Sequence, residues 1–367
     1  MPLEGVAPAI FPGFHLYVKL DLAPHFTTSS NNKDRTKNIR LLGELTQGVK
    51  LIVDGRFDGA TLEAQGPVVH AFIPSDSGDL DDPREASVEI LGFVSSRIKP
   101  QAGDDFRKVV IAYCHGPSIF VASIDNHGDN SIVSLAPAAN APAKVLWKKS
   151  DELRSGSILE VETSGSFRLF EPENQRELII NSERLIKKAE LENFSSQLPQ
   201  INVINARDMS VPSPSSPDSP TVDEPLESFS ISVRADIDGF TATVNKAFES
   251  GRDEAEELAE VFHQIMVAAR EFCRLHSLTQ LPWAGDCCNI LLSVEDRPSY
   301  KAYRQRRILE ICVAFEEHMR GEFPELNWSF SCAGGDLESN QACNTLLSRI
   351  DLGNTTLLLA TGLPVER

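Results

Sequence analysis

Two aspartates in the C-terminal half of the chain are spaced to do metal chemistry. Asp236 closes an alternating apolar stretch in VRADIDGFTA, and Asp286 follows Gly285 in AGDCCNILLSV, about fifty residues further on. Two carboxylates at neighbouring strand ends form a hard-oxygen donor set of the kind that Mg²⁺ and Mn²⁺ take. Two such ions could activate a ribose hydroxyl and clamp a triphosphate. Gly239 allows a tight turn into the next helix, whose first residues, Phe240 and Thr241, would offer free N–H groups to a phosphate. Taken singly, Asp236 would read as a helix cap and Asp286 as a turn residue. A glycine after the first and another before the second favour the paired reading. Asp238 fits a cap, a solvated side chain or a supporting contact equally well.

Strands and turns must position these residues, and their order occurs twice. The second half opens with FSISVRADID from Phe229. A helix over 255–275 follows, with Leu258, Val261, Phe262, Ile265, Ala268, Ala269 and Phe272 at helical spacing. Then come the strand after Gly285, a helix over 297–320, the strand WSFSCAGG to Gly335, and TTLLLATGLPVER as a strand running into a helix start. The first half repeats this order with FHLYVKLDLA from Phe14, QGPVVHAFIP around Gly66, a helix over 83–98, KVVIAYCHG to Gly116, and SIVSLAPAANAPAK. Phe14 aligns with Phe229, Asp21 with Asp236, Gly66 with Gly285 and Gly116 with Gly335, so the chain reads as a tandem duplication. Between the halves, VPSPSSPDSPTVDEP (211–225) has almost nothing to bury and reads as a linker. The expected division is 1–206, a linker at 207–227, and 228–367. Each half is expected to be an α+β unit, with helices on one face of a mostly antiparallel sheet.

The bulk of the 367-residue chain restricts the partners. It is 41% hydrophobic and 24% charged, an ordinary globular balance, with a formal net charge of −18. That charge repels nucleic-acid polymers and anionic membranes, so neither is an expected partner. There is no apolar run of membrane-spanning length, and residues 1–12 lack the order of a signal peptide. The seven cysteines lack metal-type pairing, and Cys287 and Cys288 sit in an apolar run that reads as core, so a reducing cytoplasm is the expected location. Lys148, Lys149, Lys187 and Lys188 read as solvated faces, and Arg304, Arg306 and Arg307 as the outer face of a helix. His25, His70 and His115 have no partner at metal-ligand spacing.

ADIDGFT followed by AGD resembles the metal-binding signature of the class III adenylate and guanylate cyclases. The resemblance implies two tandem ferredoxin-like, palm-type cyclase homology domains, forming a pseudo-heterodimer within one chain. It implies conversion of a nucleoside triphosphate to a 3′,5′-cyclic monophosphate and pyrophosphate. Asp236 and Asp286, with the carbonyl of Ile237, would hold two Mn²⁺ or Mg²⁺ ions. The family completes each site with an Asn and, four residues on, an Arg from the opposite unit. AANAPAK is similar to that stretch, with Asn140 on the Asn and Lys144 in place of the Arg. The halves have lost complementary parts: Pro67 replaces the second metal aspartate in the first, and Glu366 replaces the Asn in the second. One working site between the halves follows, with no homodimer required. The second half ends one residue past its counterpart of Asn140, while the first continues for about 55 residues, so the second is expected to lack its C-terminal part.

The resemblance also places the base-reading positions at Glu63 and Val133. Neither the Lys/Asp pair that reads adenine nor the full Glu/Cys pair that reads guanine is present. Together with the absence of membrane spans, this resembles the bacterial pyrimidine cyclases of antiphage defence (Pycsar). It implies CTP in preference to UTP and a downstream effector that binds the cyclic nucleotide. A palm-type diguanylate cyclase would need an acid after Asp286, where Cys287 stands. A catalytically dead nucleotide sensor need not keep both aspartates. An interaction scaffold would be compatible with the linker alone.

Overall fold

The computed structural model describes residues 5–6, 10–23, 32–65, 67–124, 130–170, 203–205, 228–295, 301–336 and 338–340. The linker, Glu366, His25, Lys187, Lys188 and the elements expected over 355–367 lie outside the described residues, as do the side chains of Arg304, Arg306 and Arg307.

Alternation along strand β2 (Phe11–Leu22) sets up the first half. Phe14, Leu16, Val18 and Leu20 are fully buried on one face, which leaves His15, Tyr17, Lys19 and Asp21 on the other. The apolar face packs against Leu41, Leu45 and Val49 of helix α1 (Asn32–Arg56) and Ile90 and Phe93 of α2 (Asp81–Phe93). A π-helical turn, Val94–Ile98, continues α2, so the helix expected over 83–98 is present with its last turn widened. The sheet runs β3 (Ala60–Gln65), β4 (Val68–Pro74), β2, β5 (Phe106–Ile124), β7 (Ser157–Val161), β8 (Phe167–Phe170), with β1 (Gly5–Val6) and β6 (Asn130–Leu135) also on β5. Only the β5–β7 pairing is parallel among these.

The expectation of helices on one face fails at β5. Val109, Ile111 and Tyr113 join the core beneath α1 and α2, while Val110, Ala112 and Cys114 pack against Ala138, Ala141 and Val145 of α3 (Pro137–Lys149). A strand apolar on both faces needs cover on both, and α3 supplies the second layer. Nor does the strand stop at Gly116. It runs on to Ile124, and Gly116 is where α3 approaches: a Cβ there would meet the Ala138 Cβ at 2.8 Å.

The second half is an antiparallel sheet in the order β11 (Thr279–Ala284), β12 (Cys287–Glu295), β10 (Ser228–Ile237), β13 (Trp328–Asp336). Helices α4 (Phe240–Ser250), α5 (Arg252–His276) and α6 (Lys301–Glu322) accompany it. Phe262, Ile265, Ala269 and Phe272 of α5 are buried with Phe315 and Met319 of α6 and with Val233, Ala235 and Ile290 of the sheet. That core does not end at the half boundary. Ile119 and Val121 of β5 and Val133 and Leu135 of β6 belong to the same cluster, and α5 packs on β1 and β5. A short antiparallel pair, β9 (Val203–Asn205) with β14 (Glu338–Asn340), also links residues from the two sides of the linker.

Candidate functional site

Register brings the two aspartates together. Asp236, near the end of β10, lies opposite Cys287 on β12 and Ser329 on β13. Asp286 is the residue before Cys287, in the turn between β11 and β12, where Gly285 adopts φ +58°. After β10 the chain reverses through Gly239, at φ +76°, directly into α4. No atom lies within 4 Å of a Cβ built on either glycine, so each is required by its left-handed backbone and not by space. The Phe240 ring is 6% exposed and packs on Phe262 at 5.1 Å, so only its backbone N–H is left for a ligand, beside Thr241 in the first turn of α4. Asp238 accepts a hydrogen bond from the Ser329 hydroxyl at 2.6 Å, and its N–H donates to the Asn327 carbonyl at 2.8 Å, which ties it to β13.

The charges at this strand end are unbalanced. Burial, and then the like charge of Asp236, push the Asp286 carboxyl up to about 6, against the opposing pull of its own backbone N–H, Arg234 and Lys144. Arg234 approaches Asp236 at 3.6 Å. Burial works against the Arg234 charge, but Cys287 and Asp236 outweigh it and hold its pKa above the usual value. Burial pushes the Cys287 thiol up to about 12, so it stands protonated beside the two carboxylates. Two hard carboxylates, one strained by the charge of the other, suit a divalent cation. The Ile237 side chain is 3% exposed and turned into the core, so its carbonyl is what could add to the set. Among the described residues no group of three or more His, Cys, Asp and Glu side chains gathers at metal distance, so most coordination positions would be left for substrate and water.

The cation Lys144 comes from the other half. It is an exposed residue of α3, which packs beside α4, and its charge acts on Asp286. Asn140, half-buried, stands one turn earlier on the same helix. Asn140 and Lys144 are therefore carried by a helix that packs beside α4, the helix that follows the strand end bearing Asp236.

The two positions expected to read the base are placed differently. Glu63 is half-buried on β3, opposite His70 of β4. Val133 is 3% exposed inside the core shared by the halves, so its side chain has no face open to a base. The polar face of β2 holds residues that sequence reading passed over. Tyr17 stacks on His70 with ring centroids 4.1 Å apart, and its phenol is raised well above its usual value by burial and then by Glu63. His15, fully buried, hydrogen-bonds His70 through Nδ1 at 3.0 Å and the Ser118 hydroxyl through Nε2 at 2.6 Å. The alternation of HLYVKLD was the available signal for this face, as RAD was for Arg234. A cavity of about 500 Å³ between β5, β7 and β8, lined by Tyr113, His115, Glu160 and Arg168, includes none of the candidate site residues.

No family model matches the chain, and no curated protein matches it. Among solved structures, it is similar to a class III adenylyl cyclase-like ATP-binding protein from Pseudomonas aeruginosa, at 14% identity over 90% of this chain and 76% of that one, with a TM-score of 0.59. A bacterial light-regulated adenylyl cyclase matches 42% of this chain and 44% of its own at 15% identity and a TM-score of 0.34. A guanylate cyclase domain from Catenaria anguillulae matches 41% of this chain and 78% of its own at 14% identity and a TM-score of 0.32. The likeness to the Pseudomonas protein is one of fold: the α+β architecture here is the class III cyclase fold. No helix among the described residues is long and apolar enough to cross a membrane.

Proposed function

We propose that the chain is a class III nucleotidyl cyclase, built from two cyclase homology units in tandem, with one working site between them. The observation that carries this reading is the convergence at one strand end: register sets Asp236 beside the turn that holds Asp286, and α3, which bears Lys144 of the other half, packs beside the α4 helix that follows Asp236. Asp236, Asp286 and the Ile237 carbonyl would hold two Mg²⁺ or Mn²⁺ ions. When bound, such ions supply positive charge to the triphosphate and acidify the ribose 3′-hydroxyl. The first N–H groups of α4, at Phe240 and Thr241, face the phosphates. Asn140 orients the ribose. Lys144 meets the charge that builds on the α-phosphate as its bond to the 3′-oxygen forms and the bond to pyrophosphate breaks. Glu63, with Tyr17 beside it, is left to read the base, because the Val133 side chain is buried. A carboxylate acceptor suits the exocyclic amine of cytosine, so CTP is favoured over UTP. The product would then be a second messenger for a cyclic-nucleotide-binding effector, in the manner of antiphage signalling.

A second reading, nucleotide binding without turnover, is favoured by Lys144 standing where the family has Arg, since an ammonium lacks the guanidinium fork. The Pseudomonas neighbour is itself described as ATP-binding. The deciding experiment incubates full-length protein and Mn²⁺ with ATP, GTP, CTP or UTP and seeks cyclic monophosphate by mass spectrometry. One cyclic product, absent in Asp286→Asn, is expected. Binding of a nucleotide with no cyclic product from any of the four would establish the second reading.

A further inference from the structure

The first half retains Asp21, the counterpart of Asp236, and the structure gives it cations of the protein's own. The Lys19 ammonium lies 3.6 Å from one carboxylate oxygen of Asp21, and the Lys108 ammonium 3.7 Å from the other. Both lysines are largely buried, at 11% and 16% side-chain exposure, so these pairs are less screened than surface ion pairs. The β3–β4 turn, where a second carboxylate would be needed, carries Pro67, whose carbonyl accepts the Leu20 N–H at 2.8 Å.

The second half provides the internal comparison. Lys19 corresponds to Arg234, so one cation two residues before the aspartate is common to both strand ends. The difference lies across the sheet. Asp21 faces Lys108 on β5, whereas Asp236 faces Ser329 on β13. Ser329 has no charge, and its hydroxyl is used by Asp238. Asp21 thus has an ammonium at each oxygen, while Asp236 has Arg234 on one oxygen and the repulsion of Asp286 nearby.

We infer that Lys108, with Lys19, takes the place of metal ions at Asp21, and that the residue facing the strand-end aspartate, together with the carboxylate of the neighbouring turn, decides which of the two pseudo-equivalent ends takes a divalent cation. This rests on the proposed metal site at Asp236 and Asp286. The lysine pair also connects the metal-free end to the candidate site. Lys19 lies under the Trp147 ring of α3 at 5.0 Å, and Lys108 reaches Asp151 just beyond that helix at 3.7 Å.

The test is direct Mn²⁺ binding to the full chain by electron paramagnetic resonance, with thermal melting as a check on folding. Wild type is expected to bind Mn²⁺ at one end only, and Asp286→Asn to lose it. Ser329→Lys alters an exposed residue and neither carboxylate, and should weaken Mn²⁺ binding by about tenfold or more. Pro67→Asp combined with Lys108→Ser should add Mn²⁺ sites to the wild-type number and gain Mn²⁺-dependent stabilisation. Ser329→Lys binding Mn²⁺ as wild type does would overturn the inference while leaving the Asp236–Asp286 site intact. No Mn²⁺ binding by the wild type would remove both.

Discussion

A cation at residue 144 has one task that differs between the two functional readings. Lys144 is exposed, yet its charge acts on Asp286 across the junction of the halves. If it stabilises the transition state, Lys144→Ala should lower kcat by about 100-fold with little change in KM, because the charge it answers appears only as the phosphate reacts. Lys144→Arg should retain activity or raise it, since a planar fork can hold two phosphoryl oxygens where an ammonium holds one. Steady-state kinetics on the nucleotide that is cyclised would separate these outcomes. Loss of affinity with kcat unchanged would mean that Lys144 serves ground-state binding alone. Asp236 and Asp286 were legible from residue type and flanking glycines, because the left-handed turns they need admit little else. Arg234 and Tyr17 were not, because only strand alternation marks them, and their partners are far away in sequence.

At the scale of elements, α3 carries more than its sequence suggests. Its small residues Ala138 and Ala141 let it lie close on β5, and at Gly116 a Cβ would meet the Ala138 Cβ at 2.8 Å. Gly116→Val should therefore force α3 away, costing about 1–3 kcal/mol in a urea melt. It should also lower the proposed cyclase activity out of proportion to the loss of folded protein, since Asn140 and Lys144 move with the helix. A variant that is destabilised yet fully active per folded molecule would show that α3 has no part in the site. Helix α5 was readable as it stands, because a single apolar stripe at 3.6-residue spacing specifies a helix without knowledge of its partner. The continuation of β5 past Gly116 and Pro117, and the burial of Val133, were not readable, because both depend on packing against the other half. The buried histidines make a third element-scale case. Burial lowers His70 from 6.5 to about 3, and burial followed by His70 and His115 lowers His15 well below its usual value. The unfolded chain protonates them below about 6.5 while the folded chain stays neutral, so stability is full above that pH and falls on acidification. The slope is about 1.4 kcal/mol per pH unit for each such histidine. Asp286, raised to about 6, works in the opposite sense below that pH. Urea melts at pH 7.5 and 5 should therefore show a steeper loss for wild type than for His70→Asn, and parallel losses would contradict this account.

For the molecule as a whole, the deciding feature is a core that ignores the boundary between the two halves of the chain. Ile119, Val121, Val133 and Leu135 of the first half are buried with Phe262, Trp283 and Phe315 of the second. Each such side chain contributes about 1.5–3 kcal/mol when fully removed from water, so separating the halves would cost far more than one surface contact could supply. Cyclases assembled from two identical chains can be rescued by mixing mutants, because each chain can lend its intact part to the other. A site completed inside one chain cannot. Asp286→Asn has lost the proposed metal aspartate and keeps Lys144, while Lys144→Ala has the reverse, so a 1:1 mixture should show no more activity than the sum of the two alone. Wild-type activity per chain should likewise stay constant from micromolar to low nanomolar concentration, where a dimer of ordinary affinity would dissociate. Recovery of a large share of wild-type activity on mixing would place Lys144 of one chain beside Asp286 of another. Asn140 and Lys144 would keep their roles, but the single-chain site would be replaced by an assembly of copies.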